Sequence, residues 1–188
     1  MEIIPAILTD KVQELDDFLK KLRDGRKYPR VQIDFIDGIY ANNKTVKPAE
    51  CDLIPYLPLL YDAHLMVVED NILNYTKTAQ AVGFNRVIAQ IEKIDNPEDF
   101  KCLAVDLDTD VTRIEKYLTK LELVLLMSVP AGFQNQKFDD RVLEKIKWLK
   151  ERQIRVCVDG GVGKEHLDML EKLGVDEVAI GVKRVLEW

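Results

Sequence analysis

Histidine is nearly missing from this chain: there are two in 188 residues, His64 and His166. Cysteine is sparse as well, with Cys51, Cys102 and Cys157 far apart and in no paired spacing. That pattern argues against a disulfide framework and against a cysteine-based zinc site. It fits reduced thiols, and so a cytoplasmic location is expected. An excess of positive charge is also lacking, with 27 Lys and Arg against 33 Asp and Glu and a formal net charge of −6. The pI is about 5.1. Nucleic acid is therefore not expected as a partner, whereas a phosphorylated metabolite needs only local donors. No long apolar run is present. Residues 121–129 come nearest, and Glu122 breaks them short of a membrane span. Residues 1–5 lack the basic start and apolar stretch of a signal peptide, so no membrane partner is expected.

What the chain does have is a regular alternation of short apolar runs and longer amphipathic ones. With 47% hydrophobic residues, its length suits a single domain over residues 1–188. Strands are expected at residues 3–8, 31–34, 63–66, 86–90, 102–105, 123–127, 155–158 and 177–180. Several are near-continuously apolar, as parallel strands covered on both faces should be. Residues 11–22, 141–151 and 165–173 carry apolar residues at helical spacing. Asp10 and Asp70 suit helix starts, and Gly174 suits a helix end.

Eight strands with intervening helices predict a (β/α)₈ TIM barrel. An open doubly wound sheet is the competing reading of the same pattern. The chain is short for a barrel, which usually needs at least about 200 residues. Two economies reconcile this: helix 4 has only about ten residues between strands, and helix 8 has only a few residues after Gly181, so both are shortened or missing.

Chemistry gathers at the expected strand ends. Asp34 closes one strand and Asp159 closes another, just before Gly160-Gly161. In a closed barrel both reach the catalytic face. Two carboxylates on one small substrate can remove a proton on one side and return it on the other. Taken alone, Asp34 fits a carboxylate bonding a neighbouring loop slightly better than a catalytic one. Gln32 shares its face if Ile33 and Phe35 turn toward the helices. Asp37-Gly38 reads as turn chemistry. A lone histidine such as His64 is more often a hydrogen-bonded core residue than a ligand, and His166 reads as a surface residue. Glycines after strands, at Gly132, Gly160, Gly161 and Gly181, let backbone N–H groups approach an anion.

Together these motifs resemble the ribulose-phosphate 3-epimerase family along nearly the whole chain. Pro5-Ala6-Ile7-Leu8 is similar to its Pro-Ser-Ile-Leu, and Gln32-Ile33-Asp34-Phe35-Ile36-Asp37-Gly38 to its His-Val-Asp-Val-Met-Asp-Gly. His64-Leu65-Met66 and Val158-Asp159-Gly160-Gly161-Val162 match it. Met127-Ser128-Val129-Pro130-Ala131-Gly132-Phe133 resembles its Met-Ser-Val-Asn-Pro-Gly-Phe.

The resemblance implies one divalent metal (Zn, Fe, Mn or Co) at Gln32, Asp34, His64 and Asp159. It implies Asp34 and Asp159 as acid and base in epimerisation at C3 of a ketose phosphate, of the ribulose 5-phosphate and xylulose 5-phosphate type, through an enediolate. Ala6, Met66 and Met127 would shape the substrate site. Phosphate would rest near Gly132, Phe133, Gln134, Asn135, Gly160, Gly161, Gly181 and Val182.

The departures from the family pattern are specific. Gln32 and Gln90 stand where the family has histidines, Ala6 for a serine, and Asp106 for an asparagine. Gln134-Asn135 stands for a glycine pair, Gly181-Val182 for Gly-Ser, and Ile36 for a methionine. An amide oxygen is a poorer donor to transition metals than an imidazole. A divergent enzyme fits these changes, and so does a sugar-phosphate-binding barrel with impaired catalysis. Another enzyme of the phosphate-binding barrels, such as a decarboxylase or an aldolase, ranks lower; the decarboxylases use an Asp-x-Lys-x-x-Asp arrangement, and no lysine occupies the stretch from Asp34 to Asp37. Missing helices should leave apolar surface uncovered, and a homo-oligomer is expected, with Val185, Leu186 and Trp188 as candidate cover.

Overall fold

The computed structural model describes residues 1–188. Eight parallel strands close into a barrel in sequence order. They are β1 (Glu2–Ile7), β2 (Arg30–Ile36), β3 (Leu60–Met66), β4 (Arg86–Gln90), β5 (Cys102–Val105), β6 (Leu123–Met127), β7 (Val156–Asp159) and β8 (Glu177–Gly181). β1 pairs with both β2 and β8, so no strand edge is left open and the open-sheet alternative is excluded.

The strand period of two sorts each side chain. Ile33 and Phe35 join the large apolar layer between the barrel and its helices. Ile36, Met66, Ile88, Ala104, Leu125, Met127 and Ala179 fill the barrel interior. Gln32 and Asp34 lie on that same inner face, as the alternation requires.

Five α-helices cover the outside: α1 (Val12–Gly25), α2 (Glu69–Val82), α3 (Val142–Glu151), α4 (Lys164–Lys172) and α5 (Val182–Val185). α1 buries Leu15, Phe18, Leu19 and Leu22, one apolar stripe at helical spacing. The connection from β4 to β5 has only two short 3₁₀ turns, and α5 is a single turn, as expected of helices 4 and 8.

The economy goes further than the sequence pattern predicts. Between β2 and β3 there are only the 3₁₀ turns Pro48–Glu50 and Ile54–Tyr56, where Pro48, Pro55 and Pro58 each remove a helix donor. Between β5 and β6 the chain forms a 3₁₀ helix, Val111–Lys120, whose start is capped by Asp110 accepting the Thr112 N–H at 2.9 Å. At the start of α1 no side chain caps the helix, Asp10 included; just before it the Thr9 hydroxyl accepts the Lys11 N–H and donates to Glu14. Asp70 lies in the first turn of α2, and Gly174 follows α4 with φ +79°.

The barrel floor is sealed by charge. Arg86 bridges the fully buried Asp62 and Glu177, while Arg30 and Arg155 add a second partner to each acid. These bonds saturate the two carboxylates, which water does not reach.

Candidate active site

The opposite end of the barrel holds a cavity of about 200 Å³. Strand register builds its base. Asp34 lies beside His64 across β2 and β3, and Met127 lies beside Asp159 across β6 and β7. Asp34, His64 and Asp159 reach the cavity while almost wholly buried, at 7%, 0% and 8% exposure. Their ligand atoms all lie within 4.8 Å of one another.

Gln32 sits beneath them and does not line the cavity. Its Nε2 donates to Asp34 Oδ1 at 2.9 Å and to Asp159 Oδ2 at 2.7 Å, and it lies 3.4 Å from His64 Nδ1. His64 Nδ1 is in turn 3.2 Å from Asp34 Oδ1 and 3.8 Å from Asp159 Oδ2. Gln90, at the end of β4, places Nε2 at 3.2 Å from His64 Nε2.

Electrostatics follow from this crowding. Burial pushes the Asp159 carboxyl up to about 7, and the negative charge of Asp34 adds to the effect. Burial opposes charge on His64, but the Asp34 hydrogen bond and the two aspartate charges outweigh it, so His64 holds its proton above the usual histidine range.

The donor set fits a divalent cation. Two carboxylate oxygens and one imidazole nitrogen lie within 4.8 Å of one another, and the Gln32 amide adds a fourth position beneath the two acids. One condition attaches: Gln32 must present its amide oxygen, because an amide N–H₂ has no lone pair to give.

The rim is built from glycine loops. Gly132 and Gly160 both have φ +105°, and Gly161 has φ +62°. A side chain at Gly161 would collide with the Lys137–Phe138 backbone, so only glycine allows this close approach. Ala6, Met66, Met127, Gly132, Phe133, Gln134, Asn135, Gly160, Gly161, Gly181 and Val182 all line the cavity.

Three further residues have structural roles, and for Asp37 the role is the turn chemistry expected of it. Asp106 accepts the N–H groups of Leu107 and Ala131 and so anchors the β6 loop away from the cavity. Asp37 accepts the Ile39 and Tyr40 N–H groups with one oxygen and the Val68 N–H with the other, tying its turn to α2. His166 is not a free surface residue. It stacks on Phe138 and its Nδ1 accepts the Gly163 N–H at 2.9 Å, capping α4.

Lys183 and Arg184 also line the cavity, and sequence reasoning passed over them. Their signal was position, directly after Gly181-Val182. Lys183 Nζ pairs with Glu14 at 3.0 Å, and Arg184 donates to the Val162 carbonyl at 2.6 Å. No helix is long and apolar enough to cross a membrane.

Comparison with known proteins agrees with this geometry. The chain is 28% identical to the ribulose-phosphate 3-epimerase of Bacillus subtilis (strain 168) over 197 residues, covering 96% of this chain and 90% of that protein. It is 29% identical to the ribulose-phosphate 3-epimerase of Helicobacter pylori (strain ATCC 700392 / 26695) over 196 residues, covering 96% and 89%. Among solved structures, a tryptophan synthase alpha-subunit variant from Pyrococcus furiosus superposes with a TM-score of 0.73 at 18% identity, over 99% of this chain and 90% of that one. Phosphoribosyl anthranilate isomerase from Thermus thermophilus superposes with a TM-score of 0.66 at 13% identity, over 96% and 87%. At such identities the two structures speak for the barrel fold alone. The profile of the ribulose-phosphate 3 epimerase family matches residues 2–184, and the chain belongs to that family.

Proposed function

We propose that this protein epimerises C3 of a ketose phosphate of the ribulose 5-phosphate and xylulose 5-phosphate type, with Asp34 and Asp159 exchanging the proton. The observation that carries this reading is the meeting of Asp34, His64 and Asp159 at the base of one cavity whose rim is built from glycine loops. Family membership agrees with it.

A carbon-bound proton beside a ketone is far less acidic than a carboxyl group, so stabilising the enediolate is the larger task. A divalent cation (Zn, Fe, Mn or Co) held by Asp34, His64, Asp159 and the amide oxygen of Gln32 would supply that positive charge. The chain's own residues move the proton. Asp34 and Asp159 come from β2 and β7, and each serves as base in one direction and as acid in the other. In the cation-free fold, burial and the Asp34 charge make the Asp159 carboxyl a stronger base than an ordinary aspartate. Gly132, Phe133, Gln134, Asn135, Gly160, Gly161, Gly181 and Val182 would receive the phosphate on backbone N–H groups, with Lys183 adding charge nearby. Ala6, Met66 and Met127 would shape the sugar site.

A second reading is a sugar-phosphate-binding barrel with impaired catalysis. It is favoured by one contact, the Gln32 amide already donating to both acids. Conversion of ribulose 5-phosphate to xylulose 5-phosphate, followed with each of the four metals added in turn, separates the two. Turnover with at least one metal supports the enzyme. Calorimetric binding of the sugar phosphate without turnover in any of them supports the impaired barrel.

We also propose self-association. Ile54 and Leu57, in the helix-free connection between β2 and β3, are 75% and 61% exposed. Trp188 and the buried Val185 pack on the core of the same chain, so only Leu186 of the terminal trio is left to contribute.

A further inference from the structure

Gln90 is fully buried and its amide has two ends with different fates. The nitrogen faces His64 Nε2 at 3.2 Å, whereas Oε1 has no hydrogen-bond partner. An amide N–H can donate to Nε2 only if that nitrogen carries a lone pair. The ring proton then sits on Nδ1, where Asp34 Oδ1 receives it at 3.2 Å. Gln32 donates to the same acid and to Asp159. The ring N–H and both Gln32 N–H bonds therefore point toward the two carboxylates.

A cation in their midst requires the reverse polarity. Nδ1 must give its lone pair, so the proton of the neutral ring moves to Nε2. There it would meet the Gln90 N–H₂ head-on, donor against donor. A half-turn of the Gln90 amide removes that conflict and gives the unpartnered oxygen an N–H to accept.

We propose that Gln90 is a positioning residue for His64, facing Nε2 with its nitrogen in the cation-free protein and with its oxygen once a cation holds Nδ1. The inference rests on the metal-binding part of the functional reading. It goes further in assigning the polarity of this chain's centre to a residue outside the donor set.

The test uses the full-length protein at pH 8. Two-bond ¹H–¹⁵N spectra report which ring nitrogen is protonated, and His166, whose Nδ1 accepts a backbone N–H, is an internal reference. The expected result is a His64 proton on Nδ1 without metal and on Nε2 with zinc. Gln90→Leu should lower zinc affinity about 10–100-fold by calorimetry. Gln90→Glu, which keeps an acceptor, should restore most of it and show the Nε2–H ring with and without zinc. A metal-free parent ring protonated on Nε2, or on both nitrogens, overturns the proposal. So does a Gln90→Leu variant that binds zinc like the parent. If Gln90→Leu does not fold, the parent and Gln90→Glu spectra decide. Zinc binding to the parent without a change of tautomer sinks this inference alone. No zinc binding to the parent sinks the metal part of the functional reading along with it.

Discussion

The carboxamide nitrogen of Gln32 lies 2.7 Å from Asp159 and 2.9 Å from Asp34, so one neutral side chain ties together two acids that are 125 residues apart (159 − 34). The same two acids, with His64, are spaced as ligands of a cation. Gln32 can therefore bridge them with its nitrogen or serve a metal with its oxygen, but not both at once.

Gln32→His replaces an amide oxygen donor with an imidazole. The expected outcome is tighter binding of zinc or cobalt, read as a lower dissociation constant by calorimetry. Turnover at limiting metal should rise with it. Unchanged or weaker metal binding would remove Gln32 from the donor set.

Asp159→Asn should lower kcat by at least about 10²-fold, the lower end of what acid–base catalysis contributes. It also changes how stability depends on pH. The Asp159 carboxyl rises from an ordinary 3.8 to about 7 in the fold. Between those values the native state binds more protons than the unfolded chain, so stability falls as pH rises from about 4 to about 7. The raised proton affinity of His64 acts in the same direction. The asparagine variant lacks the Asp159 contribution. In metal-free protein, the Tm of Asp159→Asn minus that of the parent should grow from pH 5 to pH 8. A difference that stays flat across that range would place Asp159 in an ordinary solvated environment.

Much of this site was legible in the sequence because strand ends announce themselves. Asp34 and Asp159 each terminate a short apolar run, and the barrel register then dictates that both face one hollow. The glycine loops were legible for the same reason. Gln32 was legible as an inner-face residue, yet its bridging bonds were not, since they join strands whose pairing only the closed fold reveals. Gln90 stood out as a departure from the family pattern, but its contact with His64 depends on the β3–β4 register. The second and fifth connections were not read as lacking α-helix, because apolar spacing alone does not separate a 3₁₀ helix from an α-helix. His166 read as a surface residue because its charged sequence neighbours say nothing of Phe138, which folds onto it from another loop.

Gly161→Ala tests the phosphate rim. The added carbon meets the Lys137–Phe138 backbone at a left-handed φ of +62°. Destabilisation of about 1–3 kcal/mol is expected by urea titration. The KM for the sugar phosphate should rise in the folded fraction. Parent-like stability and KM would mean that the loop has room to spare.

Arg86→Met tests the floor. It leaves Asp62 without its Arg86 bonds and Glu177 with Arg155 alone, both acids fully buried. A loss of about 3–5 kcal/mol is expected, as for other buried pairs broken from one side. The kcat of the protein that remains folded should be unchanged, because the floor lies at the end of the barrel away from the cavity. A change below about 1 kcal/mol would show that solvent reaches the cluster.

Proton exchange at C3 of ribulose 5-phosphate is the most direct test of the two-aspartate account. The metal-supplied protein is incubated with the sugar phosphate in deuterated water and the C3 proton is followed by NMR. Loss of that signal, accompanied by the xylulose epimer and abolished in Asp159→Asn, is the predicted result. A C3 proton that persists with every metal tried, or that exchanges equally fast in Asp159→Asn, contradicts it.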